Sequence, residues 1–337
     1  LLSSLETLIR RYYRTTGVPV LDDMIYGWPR KGLALIYGSQ KAGKTTLAMQ
    51  AAVHTVLDEG RQVLYLDTES GGASELRLYT LASALGVPEA DIPSVVSRIT
   101  IFKAYDLGDQ HRIITEDWGE ITQTGEVGMF AVDSVAWHYH QRVMNTPSEM
   151  VGAVARELLG RLEMETKTLL KYAEKTGASI IYTSWSASKA KKAFEEHQRR
   201  ELEKAARKGF VDTRDLDVVL GTYGEDYIGG RFIGYMAKVI ARIWRLQGDL
   251  RFFVIEAHRE KRDNIGIYMR VSEKGLHPVD GAKPVPVESE MRRRLIAEEE
   301  KAVEADAAEV ERRLKHPPGS GAAVEKSRRP RSGARQS

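Results

Sequence analysis

The chain predicts an α/β fold: a mainly parallel twisted sheet, flanked by helices and finished by an antiparallel edge. Three observations predict it. In the stretch Leu33–Ala48 a short apolar run leads through glycines into a helical pattern. Further apolar runs ending in acidic residues alternate with helical spacing, the pattern of parallel strands joined by crossovers. The last alternating runs are separated only by turns, which suits antiparallel strands.

The first of these carries the chemistry. Gly38-Ser39-Gln40-Lys41-Ala42-Gly43-Lys44-Thr45 fits G-x-x-x-x-G-K-[ST] at every fixed position. Leu33–Tyr37 suits a buried parallel strand, and from Thr46 onward the apolar spacing is helical as far as Gly60, a C-cap candidate. A strand feeding a glycine turn that opens a helix aims backbone N–H groups and the positive helix end at one point. Polyphosphate satisfies such a point best. The predicted ligands are a nucleoside triphosphate and Mg²⁺, held by residues 38–46, with Lys44 on the β and γ phosphates and the Thr45 hydroxyl on the metal.

Composition sets the bounds. The 337 residues suffice for one large α/β domain or two smaller ones. Net charge is only +3 but unevenly spread. The chain has no cysteine, which excludes disulfides and thiolate metal sites. No apolar run reaches membrane-spanning length and no signal-peptide pattern opens the chain, so a soluble cytoplasmic protein is expected.

In order, residues 1–14 read as an amphipathic helix packed on the core, with Leu5, Leu8, Ile9 and Tyr12 on one face. Residues 15–283 are expected to form the core. Arg61–Asp67 reads as the second parallel strand, with Asp67-Thr68-Glu69 at its carboxyl end, where open α/β sheets bind ligands. A carboxylate there can orient and deprotonate water, so Glu69 is the candidate catalytic base. A helix from about Ser74 to Leu85 and a strand at Ile99–Lys103 follow. Val127–Ser134 is an apolar strand that delivers Asp133 to a metal and its water shell. Trp137–Arg142 contains a His-x-His pair at His138 and His140, but no further ligand stands at a suitable spacing. It reads as an aromatic, basic loop.

Met150–Lys175 is a long helical pattern stopped by Gly177, and Ala178–Thr183 is the next strand. Residues 187–209 are highly charged with basic residues in excess: Lys189, Lys191, Lys192, Arg199, Arg200, Lys204, Arg207 and Lys208. Beside a phosphate site such a run suits nucleic-acid contact. Gly229-Gly230-Arg231 opens a run leading to strands at Lys238–Arg245, Arg251–Ala257 and Ile267–Val271, with a basic turn at His258–Gly266. Pro284 and Pro286 mark a boundary. Residues 284–316 read as a charged helix, exposed or docked on a partner, and 317–337 as a disordered basic tail with a weak polyanion contact.

Gly38–Thr45, Leu66-Asp67-Thr68-Glu69 and Ala131-Val132-Asp133-Ser134 together resemble the core of the RecA/RadA recombinase ATPases. With Gly229-Gly230-Arg231 and Glu256-Ala257-His258-Arg259, the likeness is greatest to the archaeal RadB-type paralogs and covers roughly residues 15–280. The resemblance implies a RecA-like P-loop NTPase core with ATP and Mg²⁺ as cofactors. It implies phosphate and metal contacts from Lys44 and Thr45, water activation by Glu69 and metal support from Asp133. It sets Arg77 near an adenine-stacking position. It puts two DNA-binding loops at Trp137–Glu149 and Ser186–Gly224, which adds Arg142 and Arg231 to the basic residues above as DNA contacts. ATP would lie between protomers, so Arg259, Lys261 or Arg262 would meet a neighbour's γ-phosphate.

The implied function is a weakly hydrolysing, DNA-dependent ATPase that binds single-stranded DNA in repair and recombination. Its expected assembly is a homo-oligomer or a hetero-assembly with a main recombinase. Departures favour an accessory paralog. Thr183-Ser184-Trp185 stands where recombinases carry a polar T-N-Q-like triplet. A tryptophan does not hydrogen-bond as that glutamine does, which puts the link between nucleotide state and DNA affinity in question. The second loop is longer and more helical than usual, and no F-x-x-A polymerisation motif precedes residue 32. Two other classes stay open. One is a hexameric helicase or translocase, and the other a KaiC-like signalling ATPase without DNA binding, against which stands Glu69 as a single glutamate after Asp67-Thr68.

Overall fold

The computed structural model describes residues 2–124, 126–147, 150–186 and 227–315. In chain order these form α1 (Leu2–Tyr12), β1 (Tyr13–Arg14), α2 (Pro19–Ile25), β2 (Trp28–Pro29), β3 (Gly32–Gly38), α3 (Lys44–Glu59), β4 (Gln62–Asp67), α4 (Glu75–Ala84) and α5 (Ile92–Val96). Next come β5 (Ile99–Lys103), α6 (Leu107–Arg112), α7 (Trp118–Ile121), β6 (Val127–Asp133), α8 (Trp137–Met144), α9 (Val151–Thr176) and β7 (Ser179–Trp185). The last described elements are α10 (Gly230–Met236), β8 (Ala237–Arg245), β9 (Leu250–His258), β10 (Ile265–Ser272), β11 (Gly275–Pro278), β12 (Val285–Pro286) and α11 (Ser289–Lys315).

One sheet runs β11-β10-β9-β8-β3-β7-β6-β4-β5, with β12 beside β10. From β8 to β5 every pairing is parallel, and from β8 outward to β11 every pairing is antiparallel. β3 shows why its sequence is apolar throughout. Leu33, Leu35 and Tyr37 pack with Leu158, Leu162 and Leu169 of α9, while Ala34 and Ile36 pack with Leu47, Ala51 and other residues of α3. With both faces covered, alternation disappears and every position is buried.

Three elements differ from the expectations above. The N-terminal helix stops at Tyr12, and Tyr13–Arg14 turn to pair with Trp28–Pro29 as a small separate ribbon. Trp137–Arg142 is helical, within α8, because Tyr139 and Val143 bury against the core on one face of a short helix. The charged C-terminal helix docks on its own chain: its Met291 and Leu295, with Val287 just ahead of it, pack with Trp244, Leu246, Phe252 and Val254 of the antiparallel edge. Its sparse apolar residues suffice because they fall on one face. The basic tail expected at 317–337 lies outside the described residues. Among the described residues no helix is long and apolar enough to cross a membrane.

Arg14, only 1% exposed, donates Nε and Nη2 to the two Glu59 carboxylate oxygens, both at 2.8 Å, and Nη1 to the Gly128 carbonyl. Arg30 binds the same carboxylate from the other side. Burial alone would raise the Glu59 pKa, but the two guanidiniums overrule it and hold it at about 2, against an ordinary 4.5. A depressed carboxylate pKa contributes stability above the unfolded value and loses it as pH falls through the folded one. Glu59→Gln should therefore cost about 2 kcal/mol in urea unfolding at pH 7, since Arg14 stays buried without a counter-charge. The gap to wild type should shrink between pH 4.5 and about 2. A gap independent of pH would exclude the carboxylate as its source.

Candidate nucleotide site

The loop after β3 is shaped by two glycines. A Cβ at Gly38 would lie 2.3 Å from the Ile243 carbonyl oxygen of β8, so only glycine lets the strands run this close. Gly43 has φ +105°, a backbone state that L side chains rarely adopt, and caps α3 at its amino end. Between them the loop is also held from behind. Arg251 of β9, 6% exposed, donates Nε to the Ala42 carbonyl and Nη2 to the Lys41 carbonyl, each at 3.0 Å. Its third nitrogen, Nη1, reaches the Gly248 and Leu250 carbonyls. A guanidinium with five fixed donors suits a turn whose carbonyls point inward.

Lys44 is buried, and its ammonium donates to the Gly38 and Ser39 carbonyls at 3.1 and 2.9 Å. Burial depresses its pKa, while Glu69, Asp133 and Glu299 act to raise it. Gln40 and Lys41 are exposed at the loop tip, and Thr46 is buried. The Thr46 hydroxyl accepts from Arg77 Nη2, and Arg77 Nη1 donates to the Gly72 carbonyl at 3.1 Å. Arg77, exposed on α4, thus stands beside the start of α3.

The acids stand at neighbouring strand ends, since Asp67 of β4 pairs with Asp133 of β6. Asp133 is 3% exposed and gripped twice: Tyr65 Oη donates to Oδ2 at 2.6 Å and Thr183 Oγ1 to Oδ1. A Cβ placed on Gly72 would stand 3.4 Å from Thr45 Oγ1 and 3.8 Å from Asp133 Oδ2. Hydroxyl and carboxylate therefore face the same side-chain-free space, which suits the oxygen-rich shell Mg²⁺ prefers. The residues present fit a magnesium triphosphate. Asp67 itself shapes the turn, since its Oδ1 accepts from the Glu69 and Ser70 backbone N–H groups at 3.0 Å.

Glu69 has its pKa raised, first by burial, with Asp133 adding to the rise and the Trp185 hydrogen bond and Lys44 opposing it. Trp185 makes a contact that the sequence did not suggest. Its indole Nε1 donates to Glu69 Oε1 at 2.6 Å, so the tryptophan at the end of β7 does engage the candidate base. It does so with a single donor and no acceptor. The Trp185 ring packs on Trp137 of α8, with centroids 5.1 Å apart. The site thus reaches the first of the two expected DNA loops.

Of the other candidates, Arg142 is exposed on α8 and Arg231 on α10. Lys189, Lys191, Lys192, Arg199, Arg200, Lys204, Arg207 and Lys208 lie outside the described residues. His138 Nε2 lies 3.1 Å from the Ala104 carbonyl, and burial lowers the pKa of both His138 and His140. Among the described residues no cluster of three His, Asp or Glu could hold a metal. Arg259, Lys261 and Arg262 follow β9 at the edge of the sheet opposite the loop, and Lys261 lies over the Tyr26 ring at 3.8 Å. Tyr65, Thr183 and Arg251 are site residues that sequence reasoning missed. Their signal is faint: polar groups within strands that are mostly apolar.

A family model described as "AAA domain" matches residues 7–169. The DNA repair and recombination protein RadB of Thermococcus sibiricus is 29% identical over 274 residues, covering 80% of this chain and 96% of that protein. The protein of the same name from Methanocaldococcus jannaschii is 25% identical over 262 residues, 77% of this chain and all of the relative. A crystal structure of the RadB recombinase superposes with a TM-score of 0.55 at 26% identity, covering 79% of this chain and 99% of that one.

Proposed function

On its similarity to RadB proteins of the RecA/RadA recombinases and to the AAA-domain model, we propose that this chain is an accessory recombinase paralog that binds and slowly hydrolyses MgATP and binds single-stranded DNA. The observation that carries this reading is the convergence of Lys44, Thr45, Glu69 and Asp133 on the carboxyl ends of β3, β4 and β6, with Trp185 of β7 bonded to Glu69.

The loop N–H groups at 38–46 would bind the phosphates, and Lys44, now on the Gly38 and Ser39 carbonyls, would turn toward them. Thr45 and Asp133 would hold Mg²⁺, which would supply charge neutralisation on the phosphoryl oxygens. Tyr65 and Thr183 keep Asp133 in one orientation. Glu69 accepts a proton at its carboxylate from the attacking water, and the rise in its pKa caused by burial makes it a stronger base than a free carboxylate. Trp185 fixes the Glu69 rotamer and joins it to Trp137. DNA that moves α8 thereby moves the base. Arg77 lies at the side of α3 where a base can stack. Arg259, Lys261 and Arg262 stand at the end of the sheet away from this chain's own loop, and in an oligomer they would be available to a neighbour's triphosphate.

Single-stranded DNA should bind through Arg142, Arg231 and the basic stretch 187–209, mostly to phosphates, so affinity should fall steeply with salt. Filter binding across a salt series tests this. Replacing Lys191, Lys192, Arg199 and Arg200 with alanine should make the log–log slope shallower by about 0.7 for each DNA phosphate no longer neutralised. An unchanged slope would remove that stretch from the interface. ATPase assays with and without single-stranded DNA test the coupling, and a rate indifferent to DNA would contradict it.

A further inference from the structure

Resting on the nucleotide-site reading above, we infer that α11 is a tethered counter-charge that competes with polyphosphate for the mouth of the phosphate loop. Its acids are docked on that loop. Glu299, 7% exposed, accepts from the Ser39 hydroxyl at 2.7 Å and from the Arg245 backbone N–H at 3.1 Å through one oxygen. Its other oxygen pairs with Arg242 Nη2 at 3.4 Å. Further along the same helix, Asp306 bridges Arg245 at 2.8 Å and Lys41 at 2.9 Å. Two loop residues, Ser39 and Lys41, are thus committed to carboxylates of the last helix.

Glu299 also lies within electrostatic reach of Lys44, the ammonium meant for the phosphates. Bringing a polyphosphate to that ammonium places like charges beside the buried Glu299 and the half-buried Asp306. Helix docking and nucleotide binding therefore oppose each other, and by linkage each weakens the other by the same factor. The helix is covalently attached a few residues beyond β12, so it competes at a high effective concentration. Its contacts also leave the docking reversible: the apolar anchor is small, with Leu295 buried and Met291 partly so beside Val287 just ahead of the helix, and its acids hold by hydrogen bonds and ion pairs.

Titrating full-length protein with a fluorescent ATP analogue and Mg²⁺ tests this. The double variant Glu299→Gln, Asp306→Asn should bind about tenfold more tightly than wild type, the factor expected if the docked state occupies nine-tenths of wild-type molecules. Equal affinity in wild type and variant would overturn the inference and leave the nucleotide site standing. Uptake by the variant alone would support it. Uptake by neither would sink the site reading and this inference with it. If the variant does not fold, amide exchange over residues 289–308 of wild type decides: ATP should accelerate it severalfold, and unchanged or slower exchange would overturn the proposal.

Discussion

Glu69→Gln is expected to lower ATP turnover by about 10²–10⁴-fold while MgATP uptake changes by no more than about twofold. The amide keeps the shape and can still accept from the Trp185 indole, but it cannot take a proton from water. Phosphate release and filter binding on the same preparation separate the two effects. Turnover within threefold of wild type would place the base elsewhere. The pH profile gives a second reading. Only the carboxylate form acts as a base, so the rate should fall as pH drops through the Glu69 pKa, which burial raises above the ordinary 4.5. The indole hydrogen bond opposes that rise. Trp185→Phe should therefore move the acid limb to higher pH still, an effect that a merely space-filling tryptophan would not produce.

Lys44→Ala is expected to weaken MgATP binding by about 100-fold. A charge-assisted contact in a buried site contributes about 3 kcal/mol, and 1.4 kcal/mol is a factor of ten. The change acts on the ligand more than on the fold, because the present partners of Lys44 are two loop carbonyls rather than a carboxylate. Thermal unfolding should thus move little without nucleotide, and the stabilisation that MgATP gives wild type should vanish. An unaltered affinity would mean that the phosphates do not approach this ammonium.

The sheet class was legible, and the glycine loop and the strand ends carrying Glu69 and Asp133 could be placed, because each is local. A pattern of glycines and one lysine needs only its flanking strand and helix to have meaning. Apolar runs covered on both faces declare themselves. What stayed hidden depends on residues brought together from far apart. Trp185 reaches Glu69, 116 positions away in the chain. Glu299 reaches Ser39 across 260. No periodicity encodes such pairs. The C-terminal helix misled for a related reason: its acids look like a solvated face until Arg242, Arg245 and Lys41 are seen opposite them. At Trp137–Arg142 the shortness of the segment hid its helix, which only the packing of Tyr139 and Val143 decides.

The bracket that Arg251 forms behind the phosphate loop ties the first third of the chain to its last quarter. During synthesis, residues 38–45 leave the ribosome long before residue 251 exists. Until that guanidinium arrives, the Lys41 and Ala42 carbonyls have no clasp. The phosphate loop therefore gains these two contacts only once the chain has been made through β9.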